Sequence, residues 1–247
     1  MEAALWEGPP GMIKSISDLA TSPDQQGKYA EAEAMYRQTL QLMETVLRKN
    51  HPDTLTCMNN LALSLDGQGK YAEAGMIYQQ TLQLQETVLG QNHPDTLMSM
   101  NNLAESLRQQ GKNSEAEAMH WQTLLLKETV LGKGHPSTLM SVNNLALSLH
   151  HQGKYAEAEV MQRQALQQFE TVLGKDHPGR LGIMSNLATS LDQQGKHAEA
   201  EAMYWQTLQL METVLGKNHP GTIRSVNNFV LSLRHQGKYA EAEAINK

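Results

Sequence analysis

HPDTLTCMNNLALSLDGQGKYAEAGMIYQQTLQLQETVLG, residues 51–90, holds two helical patterns and the punctuation that separates them. In its first half Leu55, Met58, Leu61, Ala62 and Leu65 recur at the three- and four-residue spacing of one helix face. Pro52 has no backbone N–H and suits a helix entry, while Asp53 and Thr54 can cap the free amides of the first turn. Gly69 then ends this helix A by taking a left-handed conformation that a side chain would penalise. In the second half Tyr71, Ala74, Tyr78, Leu82 and Leu89 mark one face of a helix B, and Gly90 supplies its stop. At these lengths, about 22 Å and about 30 Å, neither helix persists alone, so each must pack on its neighbours.

The stretch recurs along the chain. Gly27, Gly69, Gly111, Gly153, Gly195 and Gly237 stand 42 residues apart, each followed by Lys. His51-Pro52, His93-Pro94, His135-Pro136, His177-Pro178 and His219-Pro220 keep the same period. The pattern predicts an all-α chain: an extension over residues 1–11, then one array over 12–247 of five complete units and a truncated sixth. The first helix A, from about Met12 to Gln26, carries Pro23 where the other repeats have Leu65, Leu107, Leu149, Leu191 and Leu233, and is expected to be kinked or short. Ala74, Ala116, Ala158 and Ala200 fall where helix B meets helix A too closely for a larger side chain. No polar capping helix follows the last repeat, which reads as a piece of a longer array with Phe229 and Leu233 left bare and inviting self-association.

Composition narrows the function classes. The 247 residues are 40% hydrophobic but only 5% aromatic, so burial rests on Leu, Met and Ala repeated many times. A net charge of −6, with no long basic run, speaks against nucleic acid or a charged membrane surface as partner. No apolar run suits a signal peptide or a span, and the lone Cys57 fits a small packing role in a reducing, cytoplasmic setting. Five of the ten His belong to His-Pro turns and the rest show no metal-ligand spacing. No nucleophile–base constellation appears, and the Glu residues of the recurring AEAE lie on an expected exposed face. Neither an enzyme nor a cofactor or metal protein is expected.

The motif NNLA…GKYAEAE…TL…ETVLG…HPDT resembles the tetratricopeptide repeats of kinesin light chains, and covers the chain from about Met12 to Lys247. The near identity of successive repeats also resembles the sensor arrays that follow nucleotide-binding switch domains in fungal signalling proteins, although no phosphate-binding loop is present here. The resemblance implies a right-handed superhelical solenoid of antiparallel helix pairs, and a concave groove lined by helix A that takes a peptide or partner protein.

Helical geometry selects the same residues. With Leu55 as position one, the second, fifth, ninth and twelfth positions lie opposite the core face. The fifth is Asn59, Asn101, Asn143 and Asn227, with Ser17 and Ser185 in the other repeats, and an Asn amide can clamp an extended peptide backbone. The competing reading is that these amides bond only to a neighbouring helix or to water; for the adjoining Asn60, Asn102, Asn144, Asn186 and Asn228 that inter-repeat role is the expectation. The other groove candidates vary between near-identical repeats: Leu63, Glu105, Leu147 and Leu231 at the ninth position, Asp66, Arg108, His150, Asp192 and Arg234 at the twelfth, and Thr56, Met98, Met140, Gly182 and Arg224 at the second. The basic members favour a peptide with acidic residues, with plain solvent-facing drift as the alternative. Trp121 and Trp205 follow the Tyr78 register on helix B, where other repeats have Arg37, Gln79 and Arg163, and are expected to be half-exposed and able to meet a partner.

Overall fold

The computed structural model describes residues 27–175 and 177–245. The expected first helix A with its Pro23 kink, the 1–11 extension, Ser17 and Trp6 lie outside the described residues. The described chain is helical throughout, in two compact units that meet in sequence after Leu126.

The first unit contains α1 (Tyr29–Val46), α2 (Pro52–Gly67), α3 (Tyr71–Val88), α4 (Pro94–Gln109) and the start of α5 (Asn113–Leu131). The A-type helix α2 packs against α1 and α3, and α4 packs on both α3 and α2. Their shared core joins Ala32, Tyr36 and Met43 to Leu61, Leu65, Ala74 and Tyr78. Cys57 is buried in it, its sulfur 3.7 Å from the Tyr36 carbonyl oxygen, as a small packing residue should be.

In the second unit α6 (Pro136–His151), α7 (Tyr155–Leu173), α8 (Arg180–Gln193), α9 (His197–Val214), α10 (Pro220–His235) and α11 (Tyr239–Ile245) pack each on the next, and the A-type helices α6, α8 and α10 also touch in turn. Phe169 anchors one cluster with Leu139 and Ile183; Tyr204, stacked on Phe229 with ring centroids 5.1 Å apart, anchors another. The B-helix alanines, Ala116, Ala158 and Ala200 among them, have no exposed surface. Phe229 and Leu233 are not bare: both are buried, with Ala242 and Ile245 of α11 packed against their cluster. About two turns of helix are enough to cover them, which removes the ground on which self-association was expected.

The helix entries differ from the sequence expectation in an instructive way. The cap of α2 is His51 itself, extended at φ −69° and ψ 138°, with its Nδ1 accepting from the Asp53 N–H at 3.2 Å. His93 and His135 do the same at 3.2 Å and His219 at 3.0 Å. Pro fixes the turn so that the preceding imidazole, rather than the following Asp or Thr, reaches the orphan amide. The threonine is thereby free to tie the loop: Thr54 Oγ1 donates to the Arg48 carbonyl at 3.0 Å, and Thr96 and Thr222 repeat that bond at 2.9 Å to Gly90 and Gly216. Arg180 occupies this register in α8, buried, ion-paired with Glu170 at 3.4 Å and hydrogen-bonded to the Lys175 carbonyl. That helix starts at Arg180, later than its counterparts, although His177 Nδ1 still accepts from the Gly179 N–H at 3.0 Å.

Arg48 is the one non-glycine among the described residues with a positive φ, 79°, at the register where Gly90, Gly132, Gly174 and Gly216 have φ between 81° and 89°. A side chain there costs about 1–2 kcal/mol, part of which glycine's freedom in the unfolded chain offsets. Arg48→Gly is expected to stabilise the first unit by about 0.5–1 kcal/mol, read from the urea midpoint; a lower midpoint would show that the arginine side chain compensates its backbone.

Candidate binding face

The A-type helices carry the candidate residues, and the structure sorts these into junctions and open surface. In the first unit Asn59 is only 2% exposed, and its Oδ1 accepts from Ser99 Oγ on α4 at 3.3 Å. In the second, Asn143 is 4% exposed and accepts from Asn186 Nδ2 on α8 at 3.1 Å. Both amides thus sit between consecutive A helices. The two-faced wheel is the reason for the difference: an A helix here meets two B helices and also a neighbouring A helix, so three of its sides are covered. Asn186, expected to link repeats, does so. Asn101 is half-buried and Asn227, on α10, is exposed.

The twelfth position behaves likewise. Asp66 Oδ1 accepts from Ser106 Oγ at 3.0 Å, Asp192 Oδ1 accepts from Ser232 Oγ at 2.8 Å, and His150 Nδ1 lies 3.1 Å from Ser190 Oγ. Burial pushes the Asp66 carboxyl up to about 6, against hydrogen bonds from Ser106 and Tyr78 and with the Glu105 charge adding to the rise. Arg108 is folded back onto Glu105 of its own helix, Nε to Oε2 at 2.9 Å, with its side chain only 10% exposed. Burial works to raise Glu105, but Arg108 outweighs it and holds the carboxyl below the usual range.

Open surface remains at Thr56, Leu63 and Met98 in the first unit, with Leu63 40% exposed. In the second it remains at Gly182, Ile223, Arg224, Asn227, Leu231 and Arg234, with Leu231 51% exposed, while Met140 and Leu147 are half-buried. Such a surface offers apolar contact and a few cations. Among the described residues no group of His, Cys, Asp or Glu is arranged to hold a metal, and no helix is long and apolar enough to cross a membrane.

On the B-helix side the structure reveals a device that the sequence reading missed. Glu33 receives Lys70 at 2.8 Å, Arg37 at 2.8 Å and Gln68 at 2.7 Å, and Arg37 reaches on to Glu73 of α3. The Lys70 hydrogen bond, joined by Arg37 and Gln68, outweighs burial and brings the Glu33 carboxyl down to about 2. Glu159 repeats this with Lys196 at 2.6 Å, Arg163 at 2.9 Å and Gln194 at 2.8 Å. Burial works to raise it, and the three donors outweigh that to bring it down to about 2. The AEAE glutamates are therefore not all plain solvent-facing charges. The signal was present in the recurrence of Gln and Lys on either side of each glycine, which places both beside the preceding B helix.

Folded-state values depressed this far add stability that is complete above the ordinary carboxylate range and lost as pH falls from about 4.5 toward 2. Melting temperature is expected to drop through that window, and Glu33→Gln with Glu159→Gln should lower it at neutral pH while flattening its acid dependence. An acid profile as steep in the double variant as in the parent would assign the loss to other groups.

The family model for the tetratricopeptide repeat matches residues 24–74, 67–129, 136–212 and 194–247, and the chain belongs to that family. Among solved structures it is similar to the "kinesin light chain nearly identical TPR-like repeats" of Podosopora anserina, with 27% identity over 84% of this chain and 98% of that one, at a TM-score of 0.69. The fold is also that of Rap protein complexed with Competence and Sporulation Factor, at 12% identity, 94% and 71% coverage and a TM-score of 0.68. NprR in complex with its cognate peptide NprX shares it at 14% identity, 94% and 64% coverage and a TM-score of 0.69. A comparison with curated protein sequences finds no match.

Proposed function

We propose that this chain is a protein-interaction scaffold that takes a peptide or partner protein along the exposed faces of its A-type helices, as an adaptor or as the sensing part of a larger signalling protein. The observation that carries this is the pattern of variation. The exposed or half-exposed second and ninth positions change from repeat to repeat, Thr56 to Met98 and Leu63 to Glu105, Gly182 to Arg224 and Thr189 to Leu231, while the buried positions beside them stay nearly constant. A scaffold whose open side chains differ along its length reads different residues of a ligand at each step. Exposed Leu63, Met98, Ile223 and Leu231 supply apolar contact, and Arg224 and Arg234 favour a ligand with acidic residues near α10. The complexes of Rap with Competence and Sporulation Factor and of NprR with its cognate peptide support the reading, since folds of this kind hold such ligands.

The ligand contacts fall on exposed side chains and not on the buried amides of Asn59 and Asn143. The test selects peptides from a displayed random library on the full chain and measures each against Leu63→Asp and Leu231→Asp. A buried leucine contact is worth about 1.5–3 kcal/mol, so affinity should fall by about tenfold or more with circular dichroism unchanged. Peptides that bind both variants as well as the parent would place the ligand elsewhere.

A further inference from the structure

The B-helix side holds a second site, legible only by comparing registers. In α1 the guanidinium of Arg37 bridges Glu33 of its own helix and Glu73 of the next B helix; in α7 Arg163 bridges Glu159 and Glu199 at 2.9 and 2.8 Å. The same register in α9 is Trp205, and the equivalents of those two carboxylates are Glu201 and Glu241. Glu201 is taken by Lys238, as Glu33 is by Lys70 and Glu159 by Lys196. Glu241 is left with no ion pair or hydrogen bond among the described residues, although the charge of Lys238 reaches it. Beside the indole, on the Glu241 side, is a cavity of about 170 Å³, lined by Trp205, Leu233, Glu241, Ala244 and Ile245. The indole is half-exposed and held edge-to-face on Phe229, centroids 5.5 Å apart.

An aromatic wall opposite an unpaired carboxylate is cation-binding chemistry, and the neighbouring repeats show which cation the frame accepts. We propose that this pocket receives an arginine side chain of a basic peptide or protein segment. The guest guanidinium stacks on Trp205 and pairs with Glu241, supplying in trans the charge that Arg37 and Arg163 supply in cis. The surface is independent of the A-helix face and opposite to it in charge preference.

The test follows the three indole N–H signals of the full-length chain by NMR, assigned through Trp121→Phe and Trp205→Phe, while tri-arginine amide is added. One exposed cation–π contact with one ion pair predicts a Kd on the order of tens of millimolar. The Trp205 signal should shift saturably, and those of Trp6 and Trp121 much less. Glu241→Gln should weaken the effect by about fivefold. Trp205→Arg installs the residue that two other repeats carry, so the fold should hold while binding of tri-arginine at α9 and α11, followed by backbone amide shifts, disappears. The proposal is overturned by no saturable shift up to about 200 mM at constant ionic strength, well above the Kd expected for these contacts, by equal shifts at all three indoles, by full binding in Glu241→Gln, or by α9–α11 amide shifts that persist in Trp205→Arg. Loss of peptide binding at Leu63 or Leu231 variants leaves this site unaffected, so the two functions fail separately.

Discussion

Asn143→Ala lowers the stability of the second unit by about 1–3 kcal/mol, and Asn59→Ala does the same in the first, because each change removes the buried partner of a hydrogen-bonding group on the next A helix. In the second unit the orphan is the Asn186 amide, which now donates to Asn143 Oδ1 at 3.1 Å; in the first it is the Ser99 hydroxyl, donating to Asn59 Oδ1 at 3.3 Å. The cavity left by the truncated side chain adds to the loss. Asn227→Ala is the control: at the same register but exposed on α10, it should stay within about 0.5 kcal/mol of the parent. Urea denaturation of the three single variants separates the cases. If Asn59→Ala and Asn143→Ala melt with the parent, the amides are not junction elements and regain their claim as ligand contacts.

Gln162→Leu should move stability the other way, by about 1–3 kcal/mol upward. Gln162 is 0% exposed on α7, and neither Oε1 nor Nε2 has a hydrogen-bond partner among the described residues. Its register elsewhere holds Tyr36, Tyr78, His120 and Tyr204, all buried rings, so the site is built around a large, mostly apolar body. Leucine keeps that body and removes the stranded amide. A rise of several degrees in melting temperature is the expected reading for a unit of this size. An unchanged or lower value would mean that the amide finds a bonded water in solution, and Gln162→Met, matching its shape more closely, would then fall below the parent as well.

The helix pairs were legible because glycine and His-Pro punctuate every repeat and because core spacing within each helix is regular. Gly69 and its counterparts do adopt the left-handed conformation, with φ of 74° to 80°. The faces of helix A were only partly legible. A helical wheel separates core from non-core, but it contains no neighbour, and the sides of α2 and α6 that meet α4 and α8 were assigned to a ligand. The same blindness hid the roles of Asp66, His150 and Asp192, each bonded across to a serine on the following helix. The histidine caps were missed for a local reason: acidic and hydroxyl side chains are the stronger caps in general, and only the proline geometry hands the task to the imidazole.

The serine at the tenth position of every A helix bears on how such a chain changes over generations. One half of each of these three junctions is constant, while the other half, at the twelfth position, is satisfied by aspartate or histidine alike. A hydroxyl both gives and accepts, so it need not match a particular neighbour. Repeats whose twelfth residue is aspartate or histidine are interchangeable parts: one such copy can be duplicated, deleted or moved by unequal recombination, and the new boundary still finds its bond. Length and order along the array are then free to vary under selection for what is bound, with little penalty in folding.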